Sequence, residues 1–327
     1  MSHVLPRTIG LLVAAAGLLS APTLAADLAP WRHGILEAKS DAGFVTMVTR
    51  GFAEQQGLKL DLVQFKSEIV AARALLAGEL DSYDGSPTGV LIAASRGADV
   101  KLIGCFWPGV PHAIFVRGAI HSPGDLRGKT IAISAPGALP DLLARALLRQ
   151  NGIAPTEVKF ANLGADADRF KALAAGVVEA AETTTEYTPI AEKQGITLLV
   201  HAADVLPRYM RLCFAASGKT LSTRADDTVR FLAAEMNALR HALAHRDETI
   251  ALTRATTGQK PDDPRAPYVF DETARTHGLD PTLDLPRDKL QFIQELSVTS
   301  GAQPRLIDLA QAVDAGPRQK ALKLVGQ

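Results

Sequence analysis

One eight-residue pattern occurs twice, about 100 residues apart, and it constrains the architecture more than any other feature. Residues 74–81 read ALLAGELD and residues 172–179 read ALAAGVVE, with Gly78 and Gly176 as equivalents. Each copy predicts a helix end closed by glycine at its C-terminal cap, followed by a short strand. Upstream, LKLDLVQF at residues 58–65 corresponds to EVKFANL at residues 157–163 as a second strand. Further up, GILEAKS at residues 34–40 corresponds to TIAIS at residues 130–134 as a first strand. Each half therefore reads strand, helix, strand, helix, strand. That alternation predicts two parallel α/β lobes with right-handed crossovers. A period this long means two lobes rather than a solenoid.

The second lobe opens with the most informative local sequence. Residues 122–125 form a turn, with Pro123 and Gly124 where turn chemistry wants them. The TIAIS strand breaks at Ala135, Pro136 and Gly137, and Pro140 suits the first helical position, with Asp141 in the first turn. Leu142, Leu143, Ala146 and Leu147 give that helix one apolar face, and Asn151-Gly152 closes it. A strand that bends into a helix N-terminus aims backbone N–H groups at one point, which suits a polar or anionic ligand group. Such bends are also ordinary punctuation in any α/β domain.

Within this stretch, residues 126–132 (LRGKTIA) resemble the D-L-K-G-K-x-V-A segment of the substrate-binding proteins of ABC importers. The branch concerned handles nitrate, sulfonates, taurine and thiamine-type pyrimidines. The resemblance runs from about residue 34 to residue 199 and continues more loosely to the C-terminus. It implies an α/β, two-lobed periplasmic-binding-protein fold of the type II-like kind, with the ligand in a cleft between lobes. It further implies a small-molecule ligand and an ABC transporter permease as partners. The expected protein is a monomer and not an enzyme, with no cofactor.

The lobe boundaries follow from two crossings. Residues 100–105 read as a strand, 108–111 as a turn and 112–117 as a strand entering the second lobe, while residues 210–217 return. Lobe I is then residues 26–115 with 216–327, and lobe II residues 116–215. Two crossings make a hinge that bends without unfolding either lobe. After residue 222 the chain is mainly helical. A 3.6 pattern over residues 228–245 runs through Val229, Leu232, Met236, Leu239 and Leu243. A Pro-rich loop at 261–267 and helices near 271–276 and 287–299 complete and cover lobe I.

Residues 1–25 read as a signal peptide: Arg7, an apolar run at residues 9–19, and Thr23-Leu24-Ala25 before a mature start at Ala26. The alternative is a frayed N-terminal helix. No cysteine stands near the cleavage site, so the expected product is periplasmic and not a lipoprotein. Lys plus Arg and Asp plus Glu number 35 each, which leaves no electrostatic case for nucleic acid or an anionic membrane. Cys105 and Cys213 stand in apolar strand-like runs. Export permits a disulfide between them, but the simpler expectation is two buried free thiols.

Ligands of parallel α/β sheets lie beyond the carboxyl ends of the strands, so the repeat nominates its loops in pairs. The expected ligand-binding set is Ser40, Ser67, Asp84, Gly85 and Trp107 from one lobe. Gly137, Ala138 and Glu186 come from the other, with no catalytic and no metal-binding residue. Backbone N–H groups of Gly137 and Ala138 would take an acidic or carbonyl oxygen, and Glu186 an amine or ring N–H. Trp107 either stacks a flat ligand or packs inside the first lobe. Asp84 is alternatively a helix cap, and Ser86-Pro87 looks like a helix start. Lys66 and His112 read most simply as solvated or hydrogen-bonded residues without function. Relatives that bind anions often carry Ser or Thr in the bend that here holds Pro136, Gly137, Ala138 and Leu139. Asp141 adds negative charge beside it, so an organic acid, sulfonate or nitrogen heterocycle is expected rather than nitrate or sulfate.

Two other classes compete. A thiamine-pyrimidine synthase shares the implied fold but carries a Cys-rich motif that this chain, with two cysteines, lacks. No G-x-S-x-G elbow, H-E-x-x-H or close-spaced Cys/His set is present. A ligand-presenting sensor is the third class, which gene neighbourhood would separate from import.

Overall fold

The computed structural model describes residues 27–36, 42–65 and 67–326. The expected signal peptide, Ser40 and Lys66 lie outside the described residues. Ten strands are present among the described residues: β1 (Ala29–Ile35), β2 (Leu58–Gln64), β3 (Ser82–Gly85), β4 (Val100–Trp107), β5 (His112–Arg117), β6 (Thr130–Ile133), β7 (Lys159–Asn162), β8 (Ala180–Thr184), β9 (Ile196–His201) and β10 (Leu212–Ser217). They form two five-stranded sheets, ordered β2-β1-β3-β10-β4 and β7-β6-β8-β5-β9. The two orders are position-for-position equivalents, which gives the sequence repeat its physical meaning.

Each sheet departs from the purely parallel expectation at its fourth position. β10 runs antiparallel to both β3 and β4, and β5 runs antiparallel to both β8 and β9. The reason is topological, since β5 and β10 are the strands that arrive from the other sheet. Each comes in from the opposite end and zips between parallel neighbours.

The repeat caps are as expected. The helix Glu68–Ala77 ends on Gly78 at φ 79°, and the helix Asp166–Ala174 is followed by Gly176 at φ 74°. β1 begins five residues earlier than its expected start at residue 34. Trp31 and His33 point inward and are fully buried, whereas the Arg32 side chain between them reaches out to the Gly78 carbonyl at 2.9 Å and to Asp81 Oδ2 at 3.5 Å. Arg32 therefore ties the end of one helix to the neighbouring strand.

Aromatic and aliphatic side chains close both sheets. Trp31 stacks on Phe231 at 5.2 Å and Phe106 on Phe214 at 4.7 Å, while Phe170 stacks on Tyr187 at 4.2 Å in the second sheet's core. The long helix Ala225–Ala244 presents Phe231, Leu232, Met236 and Leu239, all fully buried, to the first core. The helix Arg287–Thr299 spans the expected residues. The helix Arg265–Thr276 starts six residues before its expected beginning, because Pro267 sits in the first turn, where it needs no N–H partner. The helix Ala42–Thr49 falls where the repeat expects one between the first two strands, and Arg246–Thr257 and Gly316–Leu324 lie in the stretch read as mainly helical without bounds of their own.

Residues 108–111 carry the chain from β4 to β5. Here Gly109 lies against Gly278, where a Cβ would fall 2.9 Å from the Gly278 Cα, so no side chain fits. The cysteines correct the free-thiol expectation. Cys105 on β4 and Cys213 on β10 are directly paired across the sheet and form a disulfide. Alternation points both side chains to one face, which a reading of β4 and β10 as separate apolar runs does not reveal.

Candidate functional site

Between the two sheets lies a cleft of about 1820 Å3. Ser67, Asp84, Trp107, Gly137 and Ala138, nominated from different loops of the chain, all line it. Gly85 and Glu186 are not among its lining residues. The first wall is built from the ends of β2 and β3 and the helix Pro87–Ser95. Ser86 caps that helix by accepting from the Thr88 N–H at 3.2 Å, and Pro87 takes its first position, as expected. Tyr209, on the returning crossing, bonds Thr88 Oγ1 at 2.6 Å and Ser86 Oγ at 3.2 Å. The crossing between β9 and β10 is thereby fastened to this wall.

Two glycines of the wall serve one carboxyl group. A Cβ on Gly85 would lie 2.9 Å from Glu68 Oε1, and one on Gly89 only 2.2 Å from it. The pair leaves a seat for Glu68, which explains Gly85 without a ligand. Glu68 Oε1 lines the cleft wall, is buried and has no hydrogen-bond partner in the protein. Burial raises its pKa from 4.5 to about 7, against the opposing pull of the Ser86 backbone N–H. The folded state therefore favours the neutral acid. Its contribution to stability is complete below pH 4.5 and is lost as pH rises through about 7. Denaturant titrations should show Glu68→Gln gaining about 2–3 kcal/mol on the parent between pH 5 and pH 8. A pH-independent difference would contradict this assignment.

The opposite wall corrects two expectations. The Gly137 N–H donates to Asp141 Oδ2 at 2.9 Å, and the Ala138 N–H to the Ala135 carbonyl at 3.2 Å. Neither is left to take a ligand oxygen. Asp141 in turn is paired with Arg145 at 2.7 Å, so its charge is compensated within its own helix, Leu139–Gln150. Gly137 has φ 77°, and its missing side chain lets Ala302 approach. Glu186 lies just past the end of β8 at Thr184, where the chain curls into a 3-10 turn packed against the helix Arg265–Thr276. Its carboxylate accepts from Thr184 Oγ1 at 3.1 Å and acts electrostatically on Arg265.

Trp107 satisfies part of both alternatives. It is 3% exposed and belongs to the first core, yet it borders the cleft. The Arg211 guanidinium covers one ring face at 4.5 Å. Asp84 lies 4.0 Å from His33, whose pKa is lowered to about 3 by complete burial, so that imidazole is neutral.

The residues that the sequence did not nominate form the second wall's charged floor. His112 Nδ1 lies 2.7 Å from Glu182 Oε1, and Glu182 Oε2 accepts from Arg169 at 3.1 Å. Arg169 also donates to Asp166 and to the Gly164 carbonyl. Glu182 is 0% exposed, a charged residue inside a strand buried along its whole length. That single anomaly was the available signal. The partner was hidden, because His112 faces Thr184 in the register and meets Glu182 only as its diagonal neighbour across the antiparallel β5–β8 pair. Ligand atoms of His112, Asp166 and Glu182 lie within 4.8 Å of one another, a spacing compatible with a metal ion. Arg169 already supplies the positive charge shared by both carboxylates, so the cluster reads as an ion network.

No curated protein matches the sequence. Solved structures share the fold across most of both chains. The Escherichia coli periplasmic aliphatic sulphonate binding protein SsuA is 21% identical with a TM-score of 0.70, covering 87% of this chain and 92% of its own. The alkanesulfonate-binding SsuA of Xanthomonas axonopodis pv. citri, bound to MOPS, is 21% identical with a TM-score of 0.71, covering 88% and 98%. The desulfurization enzyme DSZB is 16% identical with a TM-score of 0.68, covering 90% and 99%. The architecture is thus the two-lobed periplasmic-binding-protein fold, which hosts both binding proteins and an enzyme. The sequence model described as NMT1/THI5 like matches residues 39–249, and the chain belongs to that family.

Proposed function

We propose that this chain is an extracytoplasmic solute-binding protein, exported with residues 1–25 removed. It captures a small organic acid, sulfonate or nitrogen heterocycle by closing its lobes, and delivers it to an ABC permease. The observation that carries this reading is the cleft of about 1820 Å3, walled by two equivalent sheets that exchange strands at two crossings. Contacts from both walls favour a closed state only when a ligand bridges them. The sulfonate-binding neighbours support the ligand class. The enzyme neighbour and the His112–Glu182 pair supply the second reading, turnover of the bound molecule. Thermal-shift screening of the purified protein against sulfonates, carboxylates, amines and heterocycles separates the two. A binding protein gains about 2.7 kcal/mol at a ligand concentration 100 times Kd, and the ligand is recovered unchanged. Chemical conversion, or no stabilisation by any class, contradicts the proposal.

A further inference from the structure

We propose that His112 is a ligand contact, and that the bound molecule presents an N–H or O–H donor to its Nε2. This rests on the reading of the cleft as a solute-binding site. His112 is the first residue of β5, immediately after the crossing at residues 108–111, so it sits where both walls meet. Its side chain is 6% exposed and lines the cleft. Glu182 is completely buried and bonded to the Arg169 guanidinium, so it is held as a carboxylate, an acceptor with no proton to give. The 2.7 Å contact between Glu182 Oε1 and His112 Nδ1 therefore requires the proton on Nδ1. In the neutral ring Nε2 then carries a lone pair. That atom is buried and meets no hydrogen-bonding group of the protein. A buried polar atom without a partner is costly, and a donor from the ligand removes the cost.

Charge points the same way. With Nδ1 holding the only ring proton, Nε2 offers a lone pair, and the Glu182 carboxylate stands behind the ring. A bare oxyanion placed against Nε2 is repelled by that lone pair, whereas an amide, amine, hydroxyl or ring N–H is attracted. An acidic group elsewhere on the same molecule remains compatible, because the cleft also borders Arg73, Arg96 and Arg211. The floor thus orients the ligand, with its donor toward the hinge.

Long-range 1H–15N correlation spectra of the ligand-free protein, with the His112 signals assigned by loss in His112→Gln, test the premise without any ligand. The expected result is the neutral Nδ1–H tautomer; an Nε2–H tautomer, or an imidazolium with both nitrogens protonated, overturns the proposal. Titration with benzamide, benzoate and ethanesulfonate tests the contact itself. Benzamide is expected to move the Nε2 resonance and to bind at least tenfold more tightly than benzoate. His112→Phe, checked for native fold by its methyl spectrum, is expected to lose that preference. Equal binding of benzamide and benzoate by the parent, or benzamide affinity unchanged in His112→Phe, overturns it. If a screened solute binds and closes the cleft but ignores His112→Phe, this inference fails and the binding reading stands. If no probe or screened solute binds, both fail together.

Discussion

Replacing Cys105 and Cys213 together by alanine is expected to lower the unfolding free energy by about 4–5 kcal/mol. The bridge closes a loop of 108 residues, which includes every strand of the second sheet. Without it the unfolded chain regains the freedom of that whole segment, and the entropic cost of closure rises with loop length. The two cysteines lie on adjacent, hydrogen-bonded strands, so the folded state should change little. Urea denaturation of the parent, the double variant and the reduced parent makes the comparison. The double variant and reduced parent should share one lowered midpoint. A shift below about 1 kcal/mol would show that the closed loop retains little freedom to lose.

Arg169→Leu is expected to cost about 3–5 kcal/mol, because it strips the counter-ion from two carboxylates, one of which, Glu182, is completely buried. The guanidinium is 2% exposed and joins Asp166, Glu182 and the Gly164 carbonyl, so one side chain fastens β8 to the helix Asp166–Ala174. Lysine is no substitute, since a single ammonium cannot span the three acceptors. Most of the loss should come from the orphaned charge of Glu182. Adding Glu182→Gln to Arg169→Leu is therefore expected to restore about 1–3 kcal/mol, measured as a double-mutant cycle. Strict additivity of the two changes would mean that the network is not electrostatically coupled.

Periodicity and glycine placement made much of the fold legible in the sequence. Gly78 and Gly176 marked equivalent helix ends, and the apolar runs before and after them marked equivalent strands. What stayed hidden depends on register between distant strands. The antiparallel direction of β5 and β10 is set by which sheet each strand enters, and no local pattern encodes that. Cys105 and Cys213 pair, and His112 meets Glu182, only once that direction is known. β1 was misplaced because Arg32 interrupts its inward residues Trp31 and His33 with an outward charge. At the site, strand ends located Ser67, Asp84, Trp107, Gly137 and Ala138 on one cleft. The chemistry of that cleft was less accessible. Whether the N–H groups of Gly137 and Ala138 are free depends on Asp141 reaching back four residues and on a turn at Ala135. Glu186 was nominated as a strand-end residue, but the chain turns under the helix Arg265–Thr276 just after β8, and Glu186 is not among the cleft's lining residues.

The most direct test of the central claim is small-angle X-ray scattering of the purified protein, alone and saturated with a solute identified by thermal shift. Two lobes that bend about the crossings and share a ligand should yield a smaller radius of gyration in the complex. The same solute should be recovered chemically intact. An unchanged radius of gyration in a complex shown by calorimetry to be saturated would contradict capture by closure.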